Sequence, residues 1–330
     1  MGKKKIEGVP LKEQIKPVFE NRFKQLLKTE ENWQKFKEIL FVPQRKSFRI
    51  NELKVNNIDL IYNNIKEKGF DLSPVPWCKN SYYINYLEGC RTDIGNLKEH
   101  FLGQIYIQEA TSMCPPELLD IPENISNDFS VLDMAASPGS KTTQIGAKMQ
   151  NKGILIANEV DWKRLGPLKI NLERTGLTNV IITNNDGTKI NGEEIFDRIL
   201  LDAPCSGSGV IRKSPGTIKT YNPNRLKALV NLQLKLLQRA FNLLKKGGIM
   251  TYSTCSLDPE ENELCIQKFL SINPDAILEK AELPNLLLTN KVSFFNEINI
   301  DKIVTENTIR IWPQDNDTNG FYVAKLRKKK

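Results

Sequence analysis

Histidine occurs once in this 330-residue chain, as His100, and none of its six cysteines (Cys78, Cys90, Cys114, Cys205, Cys255, Cys265) lies in a C-x-x-C spacing. A disulfide framework and a zinc site are therefore both unindicated, no metal is expected, and reduced thiols in a cytosol are the expectation. The lone histidine argues against a histidine base. No run approaches the roughly 18 unbroken apolar residues of a membrane helix, so no membrane span is expected. The opening MGKKKIEGVPLKEQ has no apolar stretch behind its lysines and does not read as a secretory signal. No internal repeat or low-complexity tract occurs. Two nucleotide fingerprints are missing as well: neither G-x-x-x-x-G-K-[ST] nor G-x-G-x-x-G is found, which disfavours ATP and NAD.

What is present is a basic, globular composition. Net charge is +8, with 40% hydrophobic and 26% charged residues, a balance compatible with a nucleic-acid partner but not diagnostic of one. Residues 1–120 hold 19 Lys/Arg against 16 Asp/Glu and the remainder 28 against 23, so neither part is a basic domain. One window stands out. Ser208 to Lys227 carries Arg212, Lys213, Lys219, Arg225 and Lys227 with no acid. The basic tail from Lys325 to Lys330 reads as a solvated terminus.

Apolar spacing from Phe19 to Leu40 predicts helix over 11–40. From Ser47 to about Met113, the β-like pieces SFRIN, YYINYL and IYIQ surround a helix near Ile58 to Lys68, with turn signals at SPVP and EGC, which suggests a small α+β unit. After Pro115-Pro116 and the polar segment PENISND the pattern changes. SVLDMA, ILIANE, VIIT, DRILLDA and GIMTYST alternate with amphipathic stretches, the pattern of a doubly wound parallel α/β domain. A helix from about Asn224 to Lys245 is expected to end at Lys245-Lys246-Gly247-Gly248, basic residues followed by glycine being a C-terminal signature. TIRIWP and GFYVAKL, joined by QDNDTN, predict an antiparallel hairpin that closes the sheet. The expected division is 1–120 and 121–330.

Candidate site residues cluster at the ends of these strands. Asp133-Met134-Ala135-Ala136-Ser137-Pro138-Gly139-Ser140-Lys141 follows the first strand and opens a helix, so its backbone can approach a ligand at the carboxyl edge of the sheet. Glu159, about 20 positions on, is placed to accept hydrogen bonds from both ribose hydroxyls, and Asp186 to hold an adenine amino group. Each has a plainer reading, since glycine turns after strands are common and strand-end acids often cap helices. With the phosphate fingerprints absent, an adenosine ligand without polyphosphate fits, such as S-adenosylmethionine.

The fourth strand ends in Asp202-Ala203-Pro204-Cys205-Ser206-Gly207 and the fifth in Ser253-Thr254-Cys255-Ser256. Methylation of cytosine at carbon 5 needs a thiolate at carbon 6, an acid at ring nitrogen 3 and a base for the carbon 5 proton, and Asp202, Cys205 and Cys255 can fill these roles. The other four cysteines read as small buried hydrophobes.

These residues, with DMAASPGSKTTQ, FDRILLDAPCSGSGVIRK, LLKKGGIMTYSTCSLDPEENE and the closing GFYVAKLRK, resemble the NSUN, or Sun-type, RNA 5-methylcytosine methyltransferases. SFRINELK and IYIQEATSMCPP resemble the family's N-terminal RNA-contacting module, and the likeness spans about 40 to 328. It implies a class I, Rossmann-like methyltransferase domain behind a small α+β RNA-binding domain. It makes Cys255 the nucleophile and Cys205 the residue that assists product release. It brings Ala135, Ala136, Ser137, Pro138, Gly139, Ser140, Lys141, Glu159, Asp186 and Asp202 to the cofactor, with Asp202 also facing the base and Lys141 and Arg164 supporting the site. The family's usual Cys-Ala-Ala-Pro-Gly-Gly-Lys loop is altered here. Glu159 replaces an Asp, and Pro313-Gln314 replaces Pro-His.

The likeness implies an RNA substrate, with tRNA favoured over ribosomal RNA because no C-terminal RNA-binding module is expected beyond the last hairpin, and a cytoplasmic monomer. Arg212 and Lys213 either hold phosphates beside a flipped cytosine or form a solvated loop. Arg49 and Asn51 either contact RNA or pin the small domain. A DNA cytosine-5 methyltransferase is the nearest rival, disfavoured by the second cysteine. A catalytically idle RNA-binding platform is the rival from another class.

Overall fold

Apolar residues on one helical face explain how the chain begins. In the computed structural model, which describes residues 15–330, helix α1 (Pro17–Leu27) starts on a proline whose missing N–H costs nothing at a first turn. It buries Phe19, Phe23, Leu26 and Leu27 and stops at Lys28 in the left-handed region (φ 65°). Helix α2 (Glu30–Ile39) is capped by Thr29, whose Oγ1 accepts from the Asn32 N–H at 3.2 Å. The continuous 11–40 helix expected from sequence is thus two helices with a break at 28–29, and its residues 11–14, like the whole MGKKKIEGVPLKEQ segment, lie outside the described residues. Phe19 meets Tyr221 edge-on at 5.1 Å and Phe36 meets Trp312 at 5.7 Å, so both helices pack into the core of the large C-terminal sheet.

The small unit is a four-stranded antiparallel sheet in the order β2 (Leu72–Pro74), β3 (Ser81–Ile84), β1 (Ser47–Ile50), β4 (Ile105–Ile107), covered by α3 (Ile58–Glu67). SPVP, expected as a turn, supplies part of β2. Phe48 and Ile50 point into the core with Ile61, Ile65 and Ile84. By the two-residue period of a strand, Ser47 and Arg49 face the other way, toward the large domain. Two short helices, α4 (Lys98–Phe101) and α5 (Cys114–Glu117), lead into that domain.

The expected strands appear as β5 (Ser130–Asp133), β6 (Ile154–Asn158), β7 (Val180–Thr183), β8 (Phe196–Asp202) and β9 (Leu244–Thr254). They pair in parallel in the order β7-β6-β5-β8-β9. Helices α6 (Ser140–Lys148), α7 (Trp162–Thr175), the single turn α8 (Gly216–Thr220) and α9 (Leu226–Leu243) make the crossovers. The order reverses beside β5, and open α/β sheets bind ligands at the carboxyl ends of strands around such a switch point.

One boundary differs from expectation. Helix α9 ends at Leu243, and Lys245-Lys246-Gly247-Gly248 bulge out inside β9, since Leu244 pairs with Phe196 but Ile249 with Arg198. The helix terminates because the chain enters the sheet, not at the glycines. After α10 (Glu263–Ile272) come β10 (Ala276–Glu279), a two-stranded ribbon of β11 (Phe294–Phe295) and β12 (Ile298–Asn299), and α11 (Lys302–Asn307). The expected hairpin is β13 (Ile309–Ile311) with β14 (Phe321–Lys328), and its connection holds the short helix α12 (Pro313–Asn316). Strand β14 runs antiparallel beside β9 and takes β10 on its other edge. No helix among the described residues is long and apolar enough to cross a membrane.

Candidate active site

The ends of β5, β6, β8 and β9 converge on one edge of the large sheet. Asn158, which closes β6, ties the loop after β5 to the end of β7: its Nδ2 donates to the carbonyls of Met134 (3.1 Å) and Asn185 (3.0 Å), and its Oδ1 accepts from Asn185 N (3.0 Å) and Thr183 Oγ1 (2.9 Å). The loop Ala135–Gly139 crosses above it and enters α6, which no side chain caps. Gly139 has φ +105°, and a Cβ there would stand 3.2 Å from Leu168, so both conformation and space require glycine.

Two buried carboxylates beside this loop keep oxygens without hydrogen-bond partners. Asp133 takes a bond from Thr142 Oγ1 (2.7 Å) on one oxygen, its other has none, and burial pushes its carboxyl up to about 7. Glu159 accepts from the Asp161 N–H (2.9 Å) through Oε1, while Oε2 has only the Arg164 guanidinium 3.4 Å away, without bonding geometry. Arg164 also donates to the Ser137 carbonyl at 2.6 Å, and Ser137 Oγ donates back to the Arg164 carbonyl at 2.9 Å. Asp186 lies three residues beyond β7 and caps the turn Gly187–Lys189, taking Thr188 N (3.0 Å) and Oγ1 (2.8 Å) on one oxygen, bonds that hold its carboxyl below the usual range. This is the capping job that sequence left open.

The thiols meet. Cys205 Sγ and Cys255 Sγ stand 3.1 Å apart at the ends of adjacent parallel strands. The hydrogen bond with Cys255, together with burial, raises the Cys205 thiol well above its ordinary value. Asp202 lies alongside, with Oδ2 taking Lys141 Nζ at 2.6 Å and Oδ1 taking Ser253 Oγ at 2.7 Å. Burial pulls the Lys141 ammonium down, but the charges of Asp202, Asp133 and Cys255 outweigh it, leaving Lys141 raised and charged. Backbone lacing fixes the pair: Gly209 N donates to the Cys255 carbonyl (2.9 Å) and Gly320 N to the Gly209 carbonyl (2.9 Å). A Cβ on Gly209 would lie 2.3 Å from that second region and 2.8 Å from the Cys255 carbonyl.

Asp202, Lys141, Cys205 and Cys255 thus form one cluster, and Ala135 to Ser140, Glu159 and Arg164 form the loop and acid beside it. Three residues left open by sequence are structural pins. Arg49 Nε donates to Gln108 Oε1 (2.7 Å) and its Nη2 to Thr143 Oγ1 (3.0 Å) and the Ser140 carbonyl (3.3 Å). Asn51 donates to the carbonyls of Gly103 and Thr175, both at 2.8 Å. Arg212 spends its guanidinium on Asp317 (2.6 Å) and the carbonyls of Thr318, Val42 and Pro43. Lys213 is exposed. Asn158 and the buried Gln233, Asp258 and Glu261 escaped the sequence reading, as did any role for Ser206, Ser253 and Ser256. A polar residue closing an otherwise apolar strand was the available signal for Asn158.

A parallel sheet with this switch-point loop, an acid at the end of its second strand and an appended antiparallel strand defines the Rossmann-like class of S-adenosylmethionine-dependent methyltransferases. Within that class the chain belongs to the 16S rRNA methyltransferase RsmB/F family, whose model matches residues 121–327, and residues 15–110 match the N-terminal domain of 16S rRNA methyltransferase RsmF. It is 42% identical over 291 residues to a ribosomal RNA small subunit methyltransferase F of Shewanella piezotolerans, covering 87% of this chain and 58% of the relative. A Vibrio vulnificus protein of the same name is 40% identical over 314 residues, covering 94% and 63%. The chain therefore spans about three fifths of the length of these curated relatives. A crystal structure of a methyltransferase homolog protein from Pyrococcus horikoshii superposes with TM-score 0.80 at 35% identity, covering 96% of this chain and 98% of that one.

Proposed function

We propose that this chain transfers a methyl group from S-adenosylmethionine to carbon 5 of cytosine in small-subunit ribosomal RNA, through a covalent bond between Cys255 and carbon 6. The 3.1 Å thiol pair beside a lysine-bound aspartate is the observation that carries this reading. Ribosomal RNA takes precedence over the tRNA expected from sequence because the curated relatives carry small-subunit names. The substrate is argued from those names, and the chemistry from the site.

The site fits the cofactor. Glu159 Oε2, buried and without a hydrogen-bond partner, is an acceptor awaiting ribose hydroxyls. Ala135 to Lys141, Glu159, Arg164, Asp186 and Asp202 would hold it, Asp186 through the oxygen that its capping bonds leave. When bound, S-adenosylmethionine supplies an electrophilic methyl group to the activated carbon 5.

The residues do the rest. Cys205 is assigned the proton shared by the 3.1 Å sulfur pair, and Cys255 the attack as a thiolate. That thiolate adds to carbon 6 while Asp202 relays a proton from the Lys141 ammonium to ring nitrogen 3, yielding the enamine that carbon 5 needs. Once Cys255 is bonded to carbon, Cys205 releases its proton to solvent. It then takes the carbon 5 proton. The C–H pair forms the 5,6 double bond, the carbon–sulfur pair returns to Cys255, and ring nitrogen 3 gives its proton back through Asp202 to Lys141. The rival DNA enzymes take their nucleophile from the Pro-Cys position and leave Cys255 without a task.

Residues 1–120 and the exposed basic side chains after Cys205, Lys213 among them, are the proposed RNA contacts of a cytoplasmic monomer. Transfer of labelled methyl to isolated small-subunit rRNA and to total tRNA tests the substrate. Label in one rRNA cytosine and none in tRNA is expected. Label in tRNA alone restores the sequence-based preference, and label in neither favours the idle platform.

A further inference from the structure

We infer that Gln233 and Glu261 form a clamp that positions Cys205, and that the clamp's task is to resolve the covalent intermediate. The inference rests on the assignment of product release to Cys205. The clamp grips the backbone on both sides of that cysteine. Gln233 Nε2, from α9, donates to the carbonyl of Pro204 at 2.9 Å, and the Ser206 N–H donates to Glu261 Oε1 at 2.9 Å. The two clamp residues also bind each other, Gln233 Nε2 to Glu261 Oε1 at 2.9 Å. Neither side chain is exposed to solvent.

Glu261 reaches further. Its Oε2 accepts from Ser206 Oγ at 2.6 Å, and Ser206 Oγ lies 3.0 Å from Ser256 Oγ. The residues that directly follow the two cysteines are therefore joined to one another and to the same carboxylate. Tyr252, on β9 ahead of Cys255, donates its hydroxyl to the Glu261 carbonyl at 2.6 Å. Strand β8's loop and strand β9's loop are referenced to one buried residue, which sets the separation of the thiols. Gln233 Oε1 is left without a hydrogen-bond partner, but the other bonds tie the catalytic loop to buried groups, and displacement of about 1 Å in a reacting group costs on the order of a hundredfold in rate.

Cys255 shares the Glu261 link but has anchors besides it, the β9 strand that it follows and the bond from Gly209, so loosening the clamp displaces Cys205 more than Cys255. Attack then proceeds and release stalls. A merely structural role lowers the amount of active protein and leaves the fraction of intermediate per active molecule unchanged.

The test uses the full chain with a small-subunit rRNA substrate and S-adenosylmethionine. Glu261→Leu and Gln233→Leu each remove one arm, and Glu261→Gln retains the carbonyl that both Ser206 N–H and Gln233 need. For the leucine variants, turnover is expected to fall about tenfold, as for the loss of one or two buried hydrogen bonds. The first methyl transfer stays within about threefold, and the denaturing gel shows about tenfold more protein–RNA adduct per active molecule. Glu261→Gln is expected within about threefold of wild type on every measure, because it keeps the bonds. Thermal unfolding of each variant identifies protein that has not folded, and Gln233→Leu serves if Glu261→Leu does not fold. If both leucine variants resolve the adduct as wild type does, or lose first transfer and turnover together, the clamp inference is overturned. If Cys205→Ala itself accumulates no adduct, the assignment of release to Cys205 falls first. If Cys205→Ala accumulates it and the clamp variants do not, only the clamp falls.

Discussion

Strand β1 of the small sheet and the strand ends of the large one both bury charged side chains, and they treat them in opposite ways. Arg49 is surrounded by acceptors and makes three bonds to Gln108, Thr143 and Ser140. At the large sheet's edge, Asp133 and Glu159 each keep a buried oxygen without a partner, and two thiols face each other. Burial alone does not mark a site. Arg49's completed network is structural, whereas the unpartnered oxygens of Asp133 and Glu159 coincide with the loop proposed to hold the cofactor.

The largest effect that would break this comparison belongs to Asp202. Asp202→Ala should slow single-turnover methyl transfer by about 10²- to 10⁴-fold, the range for a positioned acid, with RNA affinity nearly unchanged. A loss below tenfold would remove Asp202 from the chemistry. Arg49→Met attacks the completed side. It should lower unfolding free energy by about 3 kcal/mol, as loss of several bonds to a buried charge implies, while the folded fraction binds RNA within about twofold of wild type. Denaturant titration and RNA binding read the two, and an affinity loss without a stability loss would make Arg49 an RNA contact after all.

Glu159→Gln probes the incomplete side at smaller cost. Cofactor affinity measured by calorimetry should weaken about tenfold, or roughly 1.4 kcal/mol, because one charge-assisted bond becomes a neutral one. Lys213→Ala should leave stability alone, weaken RNA binding about equally for all sequences and reduce the salt slope by about 1. An unchanged slope would return Lys213 to the solvated loop. The smallest effect concerns pH. Asp133, with its carboxyl pushed up to about 7 by burial, binds its proton more tightly folded than unfolded. Its contribution is therefore fully present below the ordinary carboxyl range and is lost as pH rises toward 7. Asp133→Asn should flatten the stability profile between about pH 4 and 7 relative to wild type, and an unaltered profile would place that titration elsewhere.

Legibility followed the same line. Strands β5 to β9 were readable because each is an apolar run bounded by turns, and Cys205, Cys255 and Asp202 because they end such runs in unusual company. SPVP was read as a turn, although Pro74 sits at the end of edge strand β2, where a missing donor is tolerated. Lys245 to Gly248 carried a helix-end signature, yet the bulge they form depends on register with β8, which no local pattern encodes. Arg212 shows the limit most clearly. In sequence it belongs to an acid-free window, but Asp317, 105 residues away, meets it in space and takes it out of solvent. Gln233 and Glu261 were invisible for the same reason, since their partners come from separate segments.

The most direct measurement runs wild type, Cys255→Ala and Cys205→Ala with rRNA and S-adenosylmethionine on a denaturing protein gel, beside methyl transfer. The account predicts no transfer and no adduct for Cys255→Ala, and a persistent protein–RNA band for Cys205→Ala. Transfer by Cys255→Ala, or an adduct that depends on Cys205 instead, would contradict it.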